Sequence, residues 1–332
     1  MPCFSPLKGY KLPTPNPATG KHSIKILGAA KRFTQKGDRY FDYVEIPCGQ
    51  CIGCKLKKSK EWAIRIMLEA SLYDHNSFIT LTYDNNHLPP NGSINKQDPV
   101  DFMKRLREFY GSGIRSYGCA EYGENFGRPH YHICLFNHHF PDAKQWTTRR
   151  GFPVYRSEKL EQLWPLGISE IGTLTFQSAA YVARYIMKKF TGPESESHYE
   201  VPDMETGELT PIEPERPICI SRGGDPLKGG GGIGRPWLEK FKTDVFPKDF
   251  ITINGQKMHP PKYFDYRLEI DNPEEYAIIK AQRRRNLDEA LAREPDQRLD
   301  VKEFCMKQKL NLLKRNLENE PERHSQPKTR TK

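Results

Sequence analysis

No run of eighteen apolar residues occurs anywhere in the chain, so it contains no candidate membrane-spanning helix. The opening stretch MPCFSPLKGYKLPTPNP has no apolar core of the kind a secretory leader requires. These two absences set the expectation of a cytoplasmic protein with no membrane partner. Apolar residues are scarce, 36% of the total, and mean hydropathy is −0.77, so much of the chain must lie on a polar surface or in polar tails. The phosphate-binding pattern G-x-x-x-x-G-K-[ST] is absent, which excludes a P-loop motor. Gly229, Gly231 and Gly234 satisfy G-x-G-x-x-G, but Pro236 follows at once and no long apolar helix opens there, which argues against a dinucleotide site. Negative charge is in deficit: 42 Asp and Glu face 52 Lys and Arg, a net charge of +10. A polyanion is the partner this balance favours, with nucleic acid the default. A length of 332 residues allows one large or two modest domains with a sizeable core.

Cysteine is better supplied. Eight in a reducing compartment argue for metal or packing rather than disulfides. Cys48, Cys51 and Cys54 form C-x2-C-x2-C. Three thiolates this close can hold Zn²⁺, and a closed structural site needs a fourth ligand. Cys3 is the favoured fourth, because clipping the N-terminus onto the domain explains a cysteine in a Pro-rich arm; His22 is the alternative. Three reduced thiols in a tight turn are the bland reading. Cys119, Cys134, Cys219 and Cys305 lack ligand spacing and are expected to pack. Lys55, Lys57, Lys58, Lys60 and Arg65 follow the cysteines at the head of a helix through Trp62, Ile64, Met67 and Leu68. A solvated face and a set of phosphate-backbone contacts explain that charge equally well.

The chain's chemistry concentrates in Gly127–Asn137, GRPHYHICLFN. Gly127, Arg128 and Pro129 mark a loop, and Ile133 to Phe136 an apolar strand. Residues i and i+2 of a strand share a face, so His130 and His132 project together, as two ligands of one ion must. One solvated and one core histidine would read the same way in isolation. Glu121 closes the preceding strand, Ile114–Glu121, across an expected hairpin. Its carboxylate would complete a site for Mg²⁺ or Mn²⁺, which two neutral imidazoles alone hold poorly. Glu124, in the turn, is its rival. Further on, SAAYVARYIMKKF suits a helix with Ser178 as N-cap. Tyr181 and Tyr185 then share one face, a turn apart, with Lys188 and Lys189 beyond. Core aromatics with lysines snorkelling at the helix end are the structural alternative. FITLTY, Phe78–Tyr83, reads as a strand.

The order FITLTY strand, His-x-His strand, tyrosine helix resembles the rolling-circle replication initiators of the HUH endonuclease superfamily. The form YVARYIMKK resembles their two-tyrosine type, found in small single-stranded DNA phages such as the gokushovirus-like microviruses. The likeness runs through CGQCIGCKLKKSKEWAIR, FITLTYDNNHLP, EYGENFGRPHYH, LWPLG and SAAYVARYIMKKF, with a looser echo over 235–266. SRGGDPLKGGGGIG departs from the compact arginine-rich turn the resemblance leads one to expect. The resemblance implies a ferredoxin- or RRM-like five-stranded sheet with the metal at its centre. It implies a site-specific nickase and strand transferase acting through a 5′-phosphotyrosine, with Tyr181 and Tyr185 as nucleophiles. Lys189, favoured over Lys188 by its spacing from Tyr185, would stabilise phosphate charge. The implied partners are single-stranded or supercoiled origin DNA and a host helicase and polymerase; the implied place is the bacterial host's cytoplasm. A non-catalytic single-stranded nucleic-acid-binding module on an RRM-like sheet is the competing class. A conjugative relaxase shares the chemistry, but its tyrosine usually precedes the histidines.

The expected fold class is α+β: an antiparallel sheet covered by helices, with a polar helical C-terminal region. The expected divisions are an N-terminal arm over 1–46, the endonuclease core over 47–191 and a flexible loop over 192–235. An accessory region over 236–319 ends in two polar helices, and 320–332 is a disordered basic tail. The aromatics between Pro236 and Tyr266 are expected to form a small core rather than to stack bases, and Arg283, Arg284 and Arg285 a basic patch.

Overall fold

The computed structural model describes residues 3–17, 20–29, 43–123, 127–149, 151–184, 195–202, 206–224, 231–293 and 298–318. The chain divides into two compact units, Met1–Lys55 with Glu294–Lys332, and Leu56–Arg293.

The first unit corrects the expectation of a bare arm. Strands β1 (Leu7–Pro15), β2 (His22–Ala29) and β3 (Tyr43–Ile46) form an antiparallel sheet in the order β2-β1-β3. Pro13 and Pro15 fall at the outer end of β1, beyond the residues paired with β3, where the register with β2 is also irregular. The polar helix Leu299–Glu318 belongs to the same unit.

The second unit is built on a seven-stranded sheet ordered β12-β5-β6-β4-β9-β8-β7, and its neighbouring strands run antiparallel. The strands are β4 (Asn76–Thr82), β5 (Arg115–Tyr122), β6 (Pro129–Phe136), β7 (Lys144–Arg149), β8 (Phe152–Arg156), β9 (Ser169–Gly172) and β12 (Arg216–Ile218). The expectation of five strands falls short. The ribbon β7–β8 extends one edge, and β12, from the stretch expected to be loop, pairs with β5 on the other. Within that same stretch β10 (Glu200–Pro202) and β11 (Leu209–Pro211) form a separate hairpin. These segments are three residues each, and each contains a proline. They are too short for an alternating apolar pattern to show in sequence.

Alternation along β4 shows how the sheet sorts its faces. Ser77, Ile79 and Leu81 are buried, with Phe78 and Thr80 on the opposite side. Ile79, Leu81, Tyr131, Ile133 and Leu135 pack with Phe102, Met103 and Leu106 of helix α2 (Asp98–Tyr110) and Leu160 and Leu163 of α3 (Glu158–Leu163). The other face carries Tyr117, Cys119, Cys134 and Phe136. Ala63, Ile66 and Ala70 of α1 (Ile52–Ala70) and Ala179 and Val182 of α4 (Phe176–Ala183) cover it. A third cluster joins Ile64 and Leu68 of α1 to Leu238, Phe246, Phe264 and Leu268 with Trp237 and Tyr263 against it, so the small aromatic core expected of this region forms in part, Phe241 and Tyr266 being exposed. Glu69 of α1 is fully buried but paired: Arg115 Nε donates to its Oε1 at 2.5 Å and the Gly234 amide to its Oε2 at 2.6 Å. Among the described residues no helix is long and apolar enough to cross a membrane.

Candidate metal and tyrosine site

The hairpin β5–β6 sets Glu121 opposite His130, and β4–β6 sets Thr80 opposite His132 and Thr82 opposite His130. The period of two therefore gathers Glu121, His130, His132, Thr80 and Phe78 on the face that α1 and α4 cover. Tyr131, between the histidines, points to the other face and is fully buried. Its hydroxyl donates to Asn95 O at 2.6 Å and accepts from the Asn95 amide at 3.1 Å. That anchor fixes the strand carrying both imidazoles.

Glu121 is 1% exposed. Its Oε1 lies 3.3 Å from Nε2 of His130 and 3.3 Å from Nε2 of His132. His130 Nδ1 sits 3.1 Å from Arg128 O; with that nitrogen donating to the carbonyl, the Nε2 lone pair would be free for a bound cation. His132 Nδ1 sits 2.9 Å from Thr80 Oγ1, and its ring stacks on Phe78 with centroids 5.6 Å apart. One ligand atom from each of Glu121, His130 and His132 lies within 4.8 Å of the others. Two imidazole nitrogens and a carboxylate oxygen, each oriented by a further hydrogen bond or ring contact, suit a divalent cation with open positions for substrate.

Helix α4 brings the tyrosine. Thr175 is its N-cap, accepting from the Ser178 amide at 3.2 Å, and Ser178 Oγ accepts in turn from the Thr175 amide at 2.8 Å. The reciprocal box displaces Ser178 from the expected cap position to the first turn. Tyr181, one turn on, donates from its hydroxyl to Glu121 Oε1 at 2.8 Å, the oxygen both imidazoles face. Its ring meets His132 edge-on, centroids 5.0 Å apart. Arg184, which sequence reasoning passed over, holds its guanidinium 5.5 Å from the Tyr181 ring centroid. Thr80 was equally unremarked, although the alternation of FITLTY with the His-x-His strand was the signal for it. Tyr185, Lys188, Lys189 and the rival ligand Glu124 lie outside the described residues.

The cysteines form a second group. Cys3, Cys48, Cys51 and Cys54 bring their Sγ atoms within 4.8 Å of one another, and none is in a disulfide. Burial pushes the Cys3 and Cys54 thiols up. Burial also raises Cys51, but the amides of Cys54 and Phe4 and the neighbouring thiols outweigh it and bring it to about 7. His22, the alternative fourth ligand, is exposed and faces Leu12 O at 2.7 Å through Nδ1. Of the four cysteines expected to pack, Cys119 and Cys134 are buried and Cys219 partly so, burial raising the Cys134 and Cys219 thiols, whereas Cys305 is exposed.

The basic set divides. Lys57, Lys58 and Lys60 are exposed along α1, while Lys55 is half-buried. Arg65 does not join them: its guanidinium lies 4.0 Å from the ring centroids of both Trp62 and Tyr263, and its Nε donates to Ile233 O at 2.9 Å. An amphipathic helix turns that position inward, so Arg65 is a packing residue. Arg283 is likewise bound to Asp249 and Asp265 rather than part of a free basic patch.

Residues 76–190, from β4 past α4, match the family model for the replication-associated protein ORF2/G2P. The chain is 31% identical over 292 residues to replication-associated protein ORF2 of Spiroplasma virus 4, covering 84% of this chain and 83% of that one. It belongs to this family of replication-associated proteins. Replication-associated protein VP4 of Bdellovibrio phage phiMH2K is 31% identical over 287 residues, 83% of this chain and 80% of its own length. Replication-associated protein ORF4 of Chlamydia phage 1 is 37% identical over 155 residues, 44% of this chain and 38% of its own. No solved structure matches the chain. The family match encloses Glu121, His130, His132 and Tyr181.

Proposed function

We propose that this replication-associated protein is a metal-dependent nickase and strand transferase that starts and ends rolling-circle copying of a single-stranded DNA phage genome. The observation that carries this reading is the 2.8 Å hydrogen bond from the Tyr181 hydroxyl to the Glu121 oxygen on which both imidazoles converge. It holds a nucleophile beside a ligand set.

Glu121, His130 and His132 would hold Mg²⁺ or Mn²⁺, which when bound supplies positive charge to the scissile phosphate. Tyr181 Oη attacks the phosphorus, the phosphorus–3′-oxygen bond breaks, and a 5′-phosphotyrosine ester forms. The proton the phenol loses is balanced by the one the departing 3′-oxygen gains, so a priming 3′-hydroxyl results. The ester keeps the energy of the broken bond, and reversal rejoins strands without ATP. Closing a round needs a second cut while the first adduct stands, and Tyr185 is the proposed second nucleophile. Lys189 or Lys188 would balance phosphate charge, and the exposed Lys57, Lys58 and Lys60 would grip the DNA backbone. Unwinding and synthesis fall to a host helicase and polymerase, which places the reaction in the host cytoplasm.

The test is adduct formation on an origin oligonucleotide. Tyr181→Phe and Tyr185→Phe should each leave some adduct and impair repeated rounds, whereas the double variant should form none. A His130→Ala, His132→Ala variant should lose nicking while still binding DNA. Full-rate nicking by that variant in Mn²⁺, or an adduct mapped to another residue in the double tyrosine variant, defeats the reading. A protein that binds DNA and never forms an adduct is the non-catalytic module instead.

A further inference from the structure

The cysteine group stands apart from the nicking reading and is carried by different atoms. Cys3 precedes β1, Cys48 and Cys51 lie between β3 and α1, and Cys54 sits in the first turn of α1. Cys3 Sγ lies 3.6 Å from Cys48 Sγ and 3.8 Å from Cys51 Sγ. A tetrahedral zinc with bonds of about 2.3 Å spaces its sulfurs by about 3.8 Å. A disulfide would bring two of them to about 2.05 Å, and a multi-iron cluster would hold them wider apart than a single ion does. Backbone amides already point at three of the sulfurs: Phe4 N at Cys51 Sγ (3.3 Å), Cys48 N at Cys3 Sγ (3.3 Å) and Cys51 N at Cys48 Sγ (3.2 Å). Such donors stabilise thiolate, the form that binds metal.

The described residues of the surrounding unit bury little apolar surface. Among the described residues of Met1–Lys55, Phe4 is the buried large apolar side chain, while Leu12, Ile24 and Ile26 of the sheet are exposed. Val301 and Phe304 of the helix Leu299–Glu318 are exposed too. A three-stranded sheet whose described apolar side chains, Leu7, Leu27, Val44 and Ile46 among them, are only half-buried is marginal in water, and small units of this kind are commonly stapled by a metal.

We propose that Cys3, Cys48, Cys51 and Cys54 hold one structural Zn²⁺ that ties the start of β1 to the head of α1 and folds the N-terminal sheet. The ion contributes folding energy to this unit rather than chemistry to the tyrosine site.

The experiment uses the full-length chain, purified reduced and without chelator. Metal analysis should give about one zinc per chain, and exchange with Co²⁺ should produce the visible and sulfur-to-metal absorption of a tetrahedral four-thiolate site. Both should persist in the His130→Ala, His132→Ala variant, and the Cys48→Ser, Cys51→Ser double variant should lose them. Cys3→Ser should shift the cobalt bands to those of a three-thiolate site. Removing zinc from the wild-type chain should open residues 3–55 to protease while the Leu56–Arg293 unit stays resistant. Zinc-free wild-type protein, iron in its place, a cobalt spectrum unchanged by Cys3→Ser, or an N-terminal sheet still resistant to protease after zinc removal overturns the proposal. None of these outcomes bears on adduct formation by Tyr181.

Discussion

Thr80 is the residue whose part is easiest to underrate. Its Oγ1 holds His132 Nδ1 at 2.9 Å and so aims Nε2 at Glu121. Thr80→Val keeps the shape and deletes that bond. Mn²⁺ affinity, followed by titration calorimetry, should fall by about 10- to 100-fold with little change in thermal midpoint; unchanged affinity would show that packing on Phe78 alone orients the ring. His138 sets a pH dependence of its own. Burial, reinforced by His139, drives its pKa down to about 4, against about 6.5 in an unfolded chain. The folded protein therefore takes up this proton less readily than the unfolded one. Stability present above about pH 6.5 should decline as pH falls toward about 4. The urea midpoint of His138→Gln should vary less across that window than that of the wild type. An identical slope would trace the acid sensitivity to other groups.

Among the elements, α4 connects sequence to reactivity most directly. Its capping box decides where the helix starts and hence where Tyr181 points. Thr175→Ala should cost about 1 kcal/mol of stability. It should also slow adduct formation more than that loss explains, measured by single-turnover nicking at a temperature where the variant remains folded. The LWPLG turn contributes by close approach. A Cβ on Gly167 would lie 2.4 Å from both Thr82 O and Asp84 N, at a φ of +155°. The flanking backbone is stitched there by Thr82 N to Ile168 O (2.8 Å) and Asp84 N to Leu166 O (3.0 Å). No flexible side chain can yield, so Gly167→Ala should destabilise by about 2 kcal/mol or more. A melting temperature equal to wild type would mean that the turn can shift without disturbing β4.

At the scale of the whole molecule, a net charge of +10 couples to DNA as a polyanion, and the coupling is readable as salt dependence. Each lysine that neutralises a phosphate steepens the fall of log affinity with log salt by about one. Changing Lys57, Lys58 and Lys60 to Ala together should reduce that slope by about three, measured by fluorescence anisotropy on an origin oligonucleotide. Changing Arg65 should reduce stability instead, because its guanidinium is held between Trp62 and Tyr263. If the triple lysine variant keeps the wild-type slope, that run of charge is only a solvated face.

What the sequence determined alone was whatever follows from short periods. His130 and His132 share a face because strands repeat every two residues, and Glu121 joins them because a hairpin pairs neighbours in sequence. The two C-terminal helices were legible in the sequence too. Tertiary structure decided what depends on contacts distant in the chain. It selected Cys3 over His22 as companion to Cys48, Cys51 and Cys54, placed β12 against β5, and turned Arg65 inward. It also laid α4 across the sheet so that the Tyr181 hydroxyl reaches Glu121, sixty residues away in sequence. Local periodicity carries no information about which distant surface a helix face will cover. That is settled only when the apolar faces of sheet and helices are buried against one another.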